Sequence, residues 1–185
     1  MAEVTGPESA EPVPVEFDPT GRGVSEQVHI RASAARVWDL ISDIGTPCGF
    51  SPELRTVRWC TGSTGPALGA RFVGTNEHPK RGEWQTTSEI VSYQPERSFG
   101  WRVGEAESPV SFWTFEMHAE AGVVTLRESA TFGSGTSGIS PLLRAHPEKA
   151  ERIVARRLQD WQEGIRSVLA GITELAERAG EEERA

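Results

Sequence analysis

The sequence predicts an α+β fold: about seven antiparallel strands in one sheet, a long C-terminal helix across it, and one or two short helices after strand 1. Three observations predict it. Residues 54–132 are a succession of short β-branched and aromatic runs, joined by turn clusters too brief to hold a crossover helix. Val154, Leu158, Trp161, Ile165, Val168, Ile172 and Leu175 then alternate four and three residues apart, an unbroken apolar stripe along one helix. A twisted sheet of this size has a concave face to cover, and that helix is the element available to cover it.

The elements follow in order. Residues 1–23 carry four prolines, five acids and one base, and too little apolar surface to offset ordering entropy, so a disordered acidic arm is expected there. Val24, Val28 and Ile30 share one strand parity. Val37, Leu40, Ile41 and Ile44 then recur at helical spacing, with Ser33 as N-cap, Gly45 at the C′ position and Pro47 preventing continuation. A loop or short helical turn runs through Ser51-Pro52. Turn clusters at 62–66, 79–82, 94–96, 104–109 and 120–122 separate the strands of the meander. At 1.5 Å per residue the last helix is about 45–48 Å long, with Gly164 and Gly171 marking close approach to the sheet or a bend. Gly180 is its natural stop, and residues 180–185 form a frayed acidic tail. The ligand-binding domain is thus expected over residues 24–179.

Strand parity divides the meander into two faces. Phe72, Asn76, Trp84, Thr86, Ser88, Ile90, Phe99, Trp101, Val103, Ser111, Trp113, Phe115, Met117, Val124, Leu126 and Glu128 fall on one face. Arg71, Glu83, Gln85, Glu89, Arg102, Thr114, Glu116 and Arg127 fall on the other, which is the solvent side.

Composition narrows the function. The chain of 185 residues has a net charge of −8, and the acidity sits at its ends. Residues 24–173 hold 17 acids and 16 bases, so a nucleic-acid surface is not expected. No apolar run reaches membrane-spanning length, and no secretory signal profile opens the chain. A cytoplasmic protein with two reduced thiols, Cys48 and Cys60, is expected. His29, His78, His118 and His146 share no spacing with each other or with the cysteines, so no metal site and no cofactor are expected.

The words and their order resemble the helix-grip superfamily of START, Bet v 1 and polyketide cyclase/dehydrase proteins (SRPBCC). The carrying residues are Ser33-Ala34-Ala35-Arg36-Val37-Trp38 with Leu40 and Asp43, and Gly69-Ala70-Arg71-Phe72 with Gly74 and Asn76. Trp84, Pro95 with Phe99, Trp113-Thr114-Phe115 and Glu128-Ser129 complete them over residues 24–178. The resemblance implies a sheet wrapped around the C-terminal helix and a cavity for an apolar or amphipathic small molecule. It implies either cyclisation or dehydration of a polyketide-like substrate, or non-catalytic carriage or sensing of a lipid or hydrophobic metabolite. Regulation of a partner protein, as in chaperone-activating relatives, is a third class. Monomer and homodimer both remain open.

Candidate site residues follow from the inner face. Glu128, between Leu126 and Ala130, is a carboxylate that must be paired, hydrogen-bonded or neutral, as a general acid/base or as a structural group. Asn76, the only asparagine, can orient a carbonyl or phenol, or end a strand at a turn. Ser88, with Thr86 and Ser111, adds hydroxyls among Phe72, Trp84, Phe99, Trp101, Trp113, Phe115 and Trp161. That mixture suits a cavity for a planar or greasy molecule as well as plain core. Gly133, Gly135 and Gly138 match a dinucleotide-binding glycine pattern, but no second parallel strand follows, so that reading fails. The segment reads instead as a hinge beside an apolar lip of Ile139, Leu142 and Leu143. The arginines of the long helix read as its solvated face.

Overall fold

Seven strands pair in one antiparallel sheet of order β1-β7-β6-β5-β4-β3-β2 in the computed structural model, which describes residues 17–182. They are β1 (Gly23–Ile30), β2 (Leu54–Trp59), β3 (Arg71–His78), β4 (Gly82–Gln94), β5 (Ser98–Gly104), β6 (Pro109–Glu120) and β7 (Val123–Phe132). β2 to β7 form a meander. β1 pairs with β7 at one edge, so the chain crosses to β2 at the opposite edge through α1 (Ala34–Ser42) and a 3-10 turn (Thr46–Gly49). After β7 come α2 (Ser140–Ala145), a 3-10 turn (Pro147–Lys149) and α3 (Ala150–Glu182). None of the described helices is long and apolar enough to cross a membrane.

Local chemistry sets the joints. Ser33 caps α1, its Oγ accepting from Arg36 N–H at 3.2 Å. The helix ends at Asp43 rather than by a left-handed Gly45, because the Asp43 carboxylate accepts from Gly45 N–H at 2.8 Å. A bulge between Ile90 and Ser92 turns Val91 outward and brings both Ile90 and Tyr93 to the inner side. Tyr93 and Phe99 then pack edge-on against Trp38 of α1, closing one end of the sheet.

α3 spans 33 residues, about 50 Å. It buries Val154, Trp161, Ile165, Val168, Leu169 and Ile172 against the concave face. Glu26 of β1 fastens it, accepting from Gln162 Nε2 at 2.6 Å and Arg166 Nε at 3.0 Å. The two helix glycines mark close approach, but to the 46–53 loop and not to the sheet. A Cβ at Gly171 would overlap the Phe50 ring, and one at Gly164 would lie 3.6 Å from Pro52. Ser167 Oγ also donates to Phe50 O at 2.8 Å.

Gly171→Ala tests this packing. Helix propensity alone makes the change stabilising by up to about 1 kcal/mol. Displacement of the Phe50 ring reverses the sign, for an expected net loss of about 1–2 kcal/mol. Thermal unfolding reads the loss, and in a Phe50→Ala background the same substitution becomes stabilising.

The termini differ from expectation. Residues 17–22, placed by sequence in the disordered arm, are joined to β7: Gly21 N–H donates to Phe132 O at 2.9 Å, and Phe132 N–H to Arg22 O at 2.8 Å. Phe17 packs against the core beneath the Arg22 guanidinium. α3 continues past Gly180 to Glu182, since helical hydrogen bonding tolerates one glycine. The arm expected over 1–16 and the tail over 183–185 lie outside the described residues.

Candidate functional site: a cavity between sheet and helix

Wrapping a twisted sheet around one helix leaves space where the side chains do not meet. That space is a cavity of about 740 Å³, within the range of small-molecule sites. Phe72, Asn76, Trp84, Ser88, Phe99, Trp101, Trp113, Phe115, Glu128 and Trp161 all line it. Leu142 does not. It is 51% exposed, because α2 turns Ile139 and Leu143 inward and presents Leu142 to solvent.

The strand register builds an aromatic wall. Trp101 and Trp113 are cross-strand partners, and their rings stack with centroids 6.4 Å apart and planes 5° apart. Phe99, Phe115 and Phe72 pack around Trp101, while Trp161 of α3 meets Trp113 at 5.4 Å and Phe132 at 4.4 Å. Trp38 and Tyr93 are plain core, and the rings from Phe99 to Trp161 line the cavity.

Polar groups interrupt this wall sparingly. Ser111 Oγ accepts from Trp113 Nε1 at 3.2 Å. Asn76 lies inside β3 opposite Trp84, not in the turn, and its amide reaches Thr86 Oγ1 only at 3.4 Å, leaving it weakly held. Glu128 is 3% exposed, opposite Phe115 in the register, and its Oε2 has no hydrogen-bond partner among the described residues. Burial pushes its pKa well above the ordinary carboxylate range. The buried Nε1 of Trp161 is also without a partner. Both residues line the cavity, so a carboxyl oxygen and an indole N–H without partners belong to its wall.

The mouth holds a charged group that sequence reasoning missed. Arg157 of α3, placed on the solvated face by sequence, is only 12% exposed and grips Glu53 in a fork at 2.6 and 2.8 Å. Arg81 of the β3–β4 turn donates to the same carboxylate. The guanidiniums of Arg81 and Arg157 lie over the Trp84 and Trp161 rings, at 5.0 and 5.3 Å. Burial alone would raise the Glu53 pKa, but hydrogen bonds from Arg157 and the charges of Arg157, Arg81 and His78 hold it below the ordinary carboxylate range.

The 133–138 segment is less free than a hinge. Gly133 N–H donates to Val110 O and Gly135 N–H to Pro109 O, at 3.0 and 2.7 Å, and a Cβ at either glycine would overlap the 108–109 backbone. The first half is thus fastened to β6, and only Thr136–Ile139 lines the cavity. Among the described residues no group of three or more His, Cys, Asp or Glu is placed to hold a metal. Cys48 is no activated nucleophile, since burial and then the Asp43 charge raise its thiol pKa.

The family model for polyketide cyclase / dehydrase and lipid transport proteins matches residues 22–177. The chain belongs to this family. Among solved structures it is similar to the polyketide-cyclase-like protein Cgl2372 of Corynebacterium glutamicum, with 29% identity and a TM-score of 0.56 over 84% of this chain and 91% of that one. It shares its fold with one half of the di-domain ARO/CYC protein BexL of the BE-7585A biosynthetic pathway, at 16% identity and TM-score 0.61, covering 86% of this chain and 51% of that one. TTHA0849 of Thermus thermophilus has the same fold at 16% identity and TM-score 0.57, over 85% and 99% of the two chains. No curated protein matches. Membership of the polyketide cyclase / dehydrase and lipid transport family and the shared architecture do not by themselves fix the chemistry of this chain.

Proposed function

We propose that the cavity binds an apolar or aromatic small molecule carrying a carbonyl or hydroxyl oxygen, and that Glu128 acts on that oxygen in polyketide cyclase/dehydrase-like chemistry. The observation that carries this reading is the unpartnered, buried Glu128 carboxyl in a cavity walled by tryptophans. Its proton, with Trp161 N–H beside the same cavity, offers hydrogen bonds to a ligand oxygen that the protein does not otherwise satisfy. As the carboxyl passes its proton to a ketone oxygen, the adjacent carbon loses a proton to water and an enol forms. The enol carbon adds to a second carbonyl of the same folded chain, and water leaves as the ring dehydrates. Water returns the proton to Glu128. Asn76 and Ser88 would hold the second oxygen, and the aromatic wall would fold the flexible substrate.

A non-catalytic carrier is the second reading, and one observation favours it. Every other titratable group lining the cavity is paired or bonded: Asp43 to Gly45 N–H, Glu53 to Arg81 and Arg157, Asp160 to Arg156, and Glu105 facing Arg71. Among the described residues, no second acid/base group therefore stands ready beside Glu128.

Two measurements decide. The neutral probe N-phenyl-1-naphthylamine is expected to bind one per chain and to be weakened by Ser88→Phe, which places a ring in the cavity. Unsaturable binding, or binding indifferent to Ser88→Phe, overturns the small-molecule reading. Deuterium exchange at the methyl group of 2-acetonaphthone, followed by NMR, is expected to accelerate at least tenfold with the protein and to return to the solvent rate with Glu128→Gln. Binding without acceleration selects the carrier.

A further inference from the structure

Resting on that reading of the cavity, we infer that its mouth receives an oxyanion: the ligand is an amphipathic anion whose carboxylate-type headgroup sits between Arg81 and Arg157. The two guanidiniums come from elements far apart in the chain and converge on one carboxylate, Glu53. The forked Arg157–Glu53 pair is already complete. A second guanidinium at a finished pair brings cation–cation repulsion and leaves one positive charge in excess. Burial and then the Arg157 charge lower the Arg81 pKa, against the raising effect of Glu53 and Asp160.

The neighbouring acids are each engaged elsewhere, although the Asp160 charge also acts on Arg81. Asp160 is held by Arg156 at 2.9 Å, Asp43 by Gly45 N–H, and Glu105 is 74% exposed with Arg71 3.9 Å away. Arg81 spends one of its five N–H groups on protein acceptors and Arg157 two, so planar donors remain for a forked oxyanion. Each guanidinium also rests on a tryptophan that lines the cavity, placing the cationic site directly above the aromatic wall. A headgroup held here puts the apolar body of the same molecule against Trp84 and Trp161.

The test compares 8-anilinonaphthalene-1-sulfonate with N-phenyl-1-naphthylamine, the same ring system without the sulfonate, by fluorescence titration. Arg81→Gln is expected to weaken the sulfonate about tenfold and to leave the neutral probe unchanged, with Arg81→Lys intermediate. Salt raised from about 20 to 500 mM should weaken only the sulfonate in the wild-type protein, which needs no variant to fold. Decanoate should displace the bound sulfonate at least tenfold better than 1-decanol. If the neutral probe binds but neither substitution nor salt moves the ratio of the two affinities, the headgroup inference is overturned and the cavity reading stands. If neither probe binds saturably, both fall.

Discussion

Glu128→Gln is expected to raise the melting temperature at pH 8 and to reduce the stability loss expected of the wild-type protein as the pH rises above the ordinary carboxylate range. The reason is linkage. Burial raises the Glu128 pKa in the folded state above its unfolded value, so folding takes up a proton whenever the pH exceeds the unfolded value. Its contribution is fully present in acid and declines by about 1.4 kcal/mol per pH unit until the folded pKa is passed. Glutamine keeps the shape and a donor without that cost. The difference accumulates as the pH rises above the unfolded value, so the gap between the two melting temperatures widens toward pH 8. The two proteins converge near pH 4. Parallel melting curves across the range would mean that Glu128 is charged in the folded protein and paired with a group the structure does not put beside it.

Glu53→Ala has the opposite sign and the second-largest effect. It leaves the side chains of Arg81 and Arg157, 27% and 12% exposed, facing each other without the carboxylate that joins them. Exposed pairs contribute about 0–1 kcal/mol, and breaking fully buried ones costs about 3–5. This partly buried fork falls between, at about 2–3 kcal/mol, which lowers the melting temperature by roughly 4–12 °C. The linkage runs the other way as well. The Glu53 pKa is depressed in the folded state, so its contribution is present above the ordinary carboxylate range and lost as the pH falls through the lowered value. Glu53→Ala should therefore matter at pH 7 and cease to matter in strong acid. An unchanged melting temperature at pH 7 would remove the fork from the account of the mouth.

The fold was legible because its signals are local and repeated. The stripe from Val154 to Leu175 requires a helix, the turn clusters require a meander, and alternation along β7 puts Glu128 inside with Leu126 and Ala130. The aromatic wall follows from the same alternation, since Trp101 and Trp113 share a parity before their strands are known to pair. The mouth was not legible, because Glu53 and Arg157 are 104 residues apart and each sits in a context that ordinarily means solvent. One signal was present: Arg157 precedes Trp161 by four residues, which puts the guanidinium one turn from a cavity tryptophan on the same helix side. The Gly171–Phe50 contact and the pinning of Gly133 and Gly135 to β6 are tertiary approaches with no periodicity to announce them. Leu142 shows the converse failure. Being apolar and beside the cavity in sequence did not fix its direction once α2 formed.

The indole N–H of Trp161 gives the most direct test of the central claim that a ligand oxygen is held inside this cavity. In a proton–nitrogen correlation spectrum titrated with 2-acetonaphthone, the Trp161 indole signal should move downfield to saturation at one ligand per chain. The indole of Trp38, packed at the closed end against Tyr93 and Phe99, should stay in place. A Trp161 signal that stays fixed while the ketone saturates the protein would contradict the account.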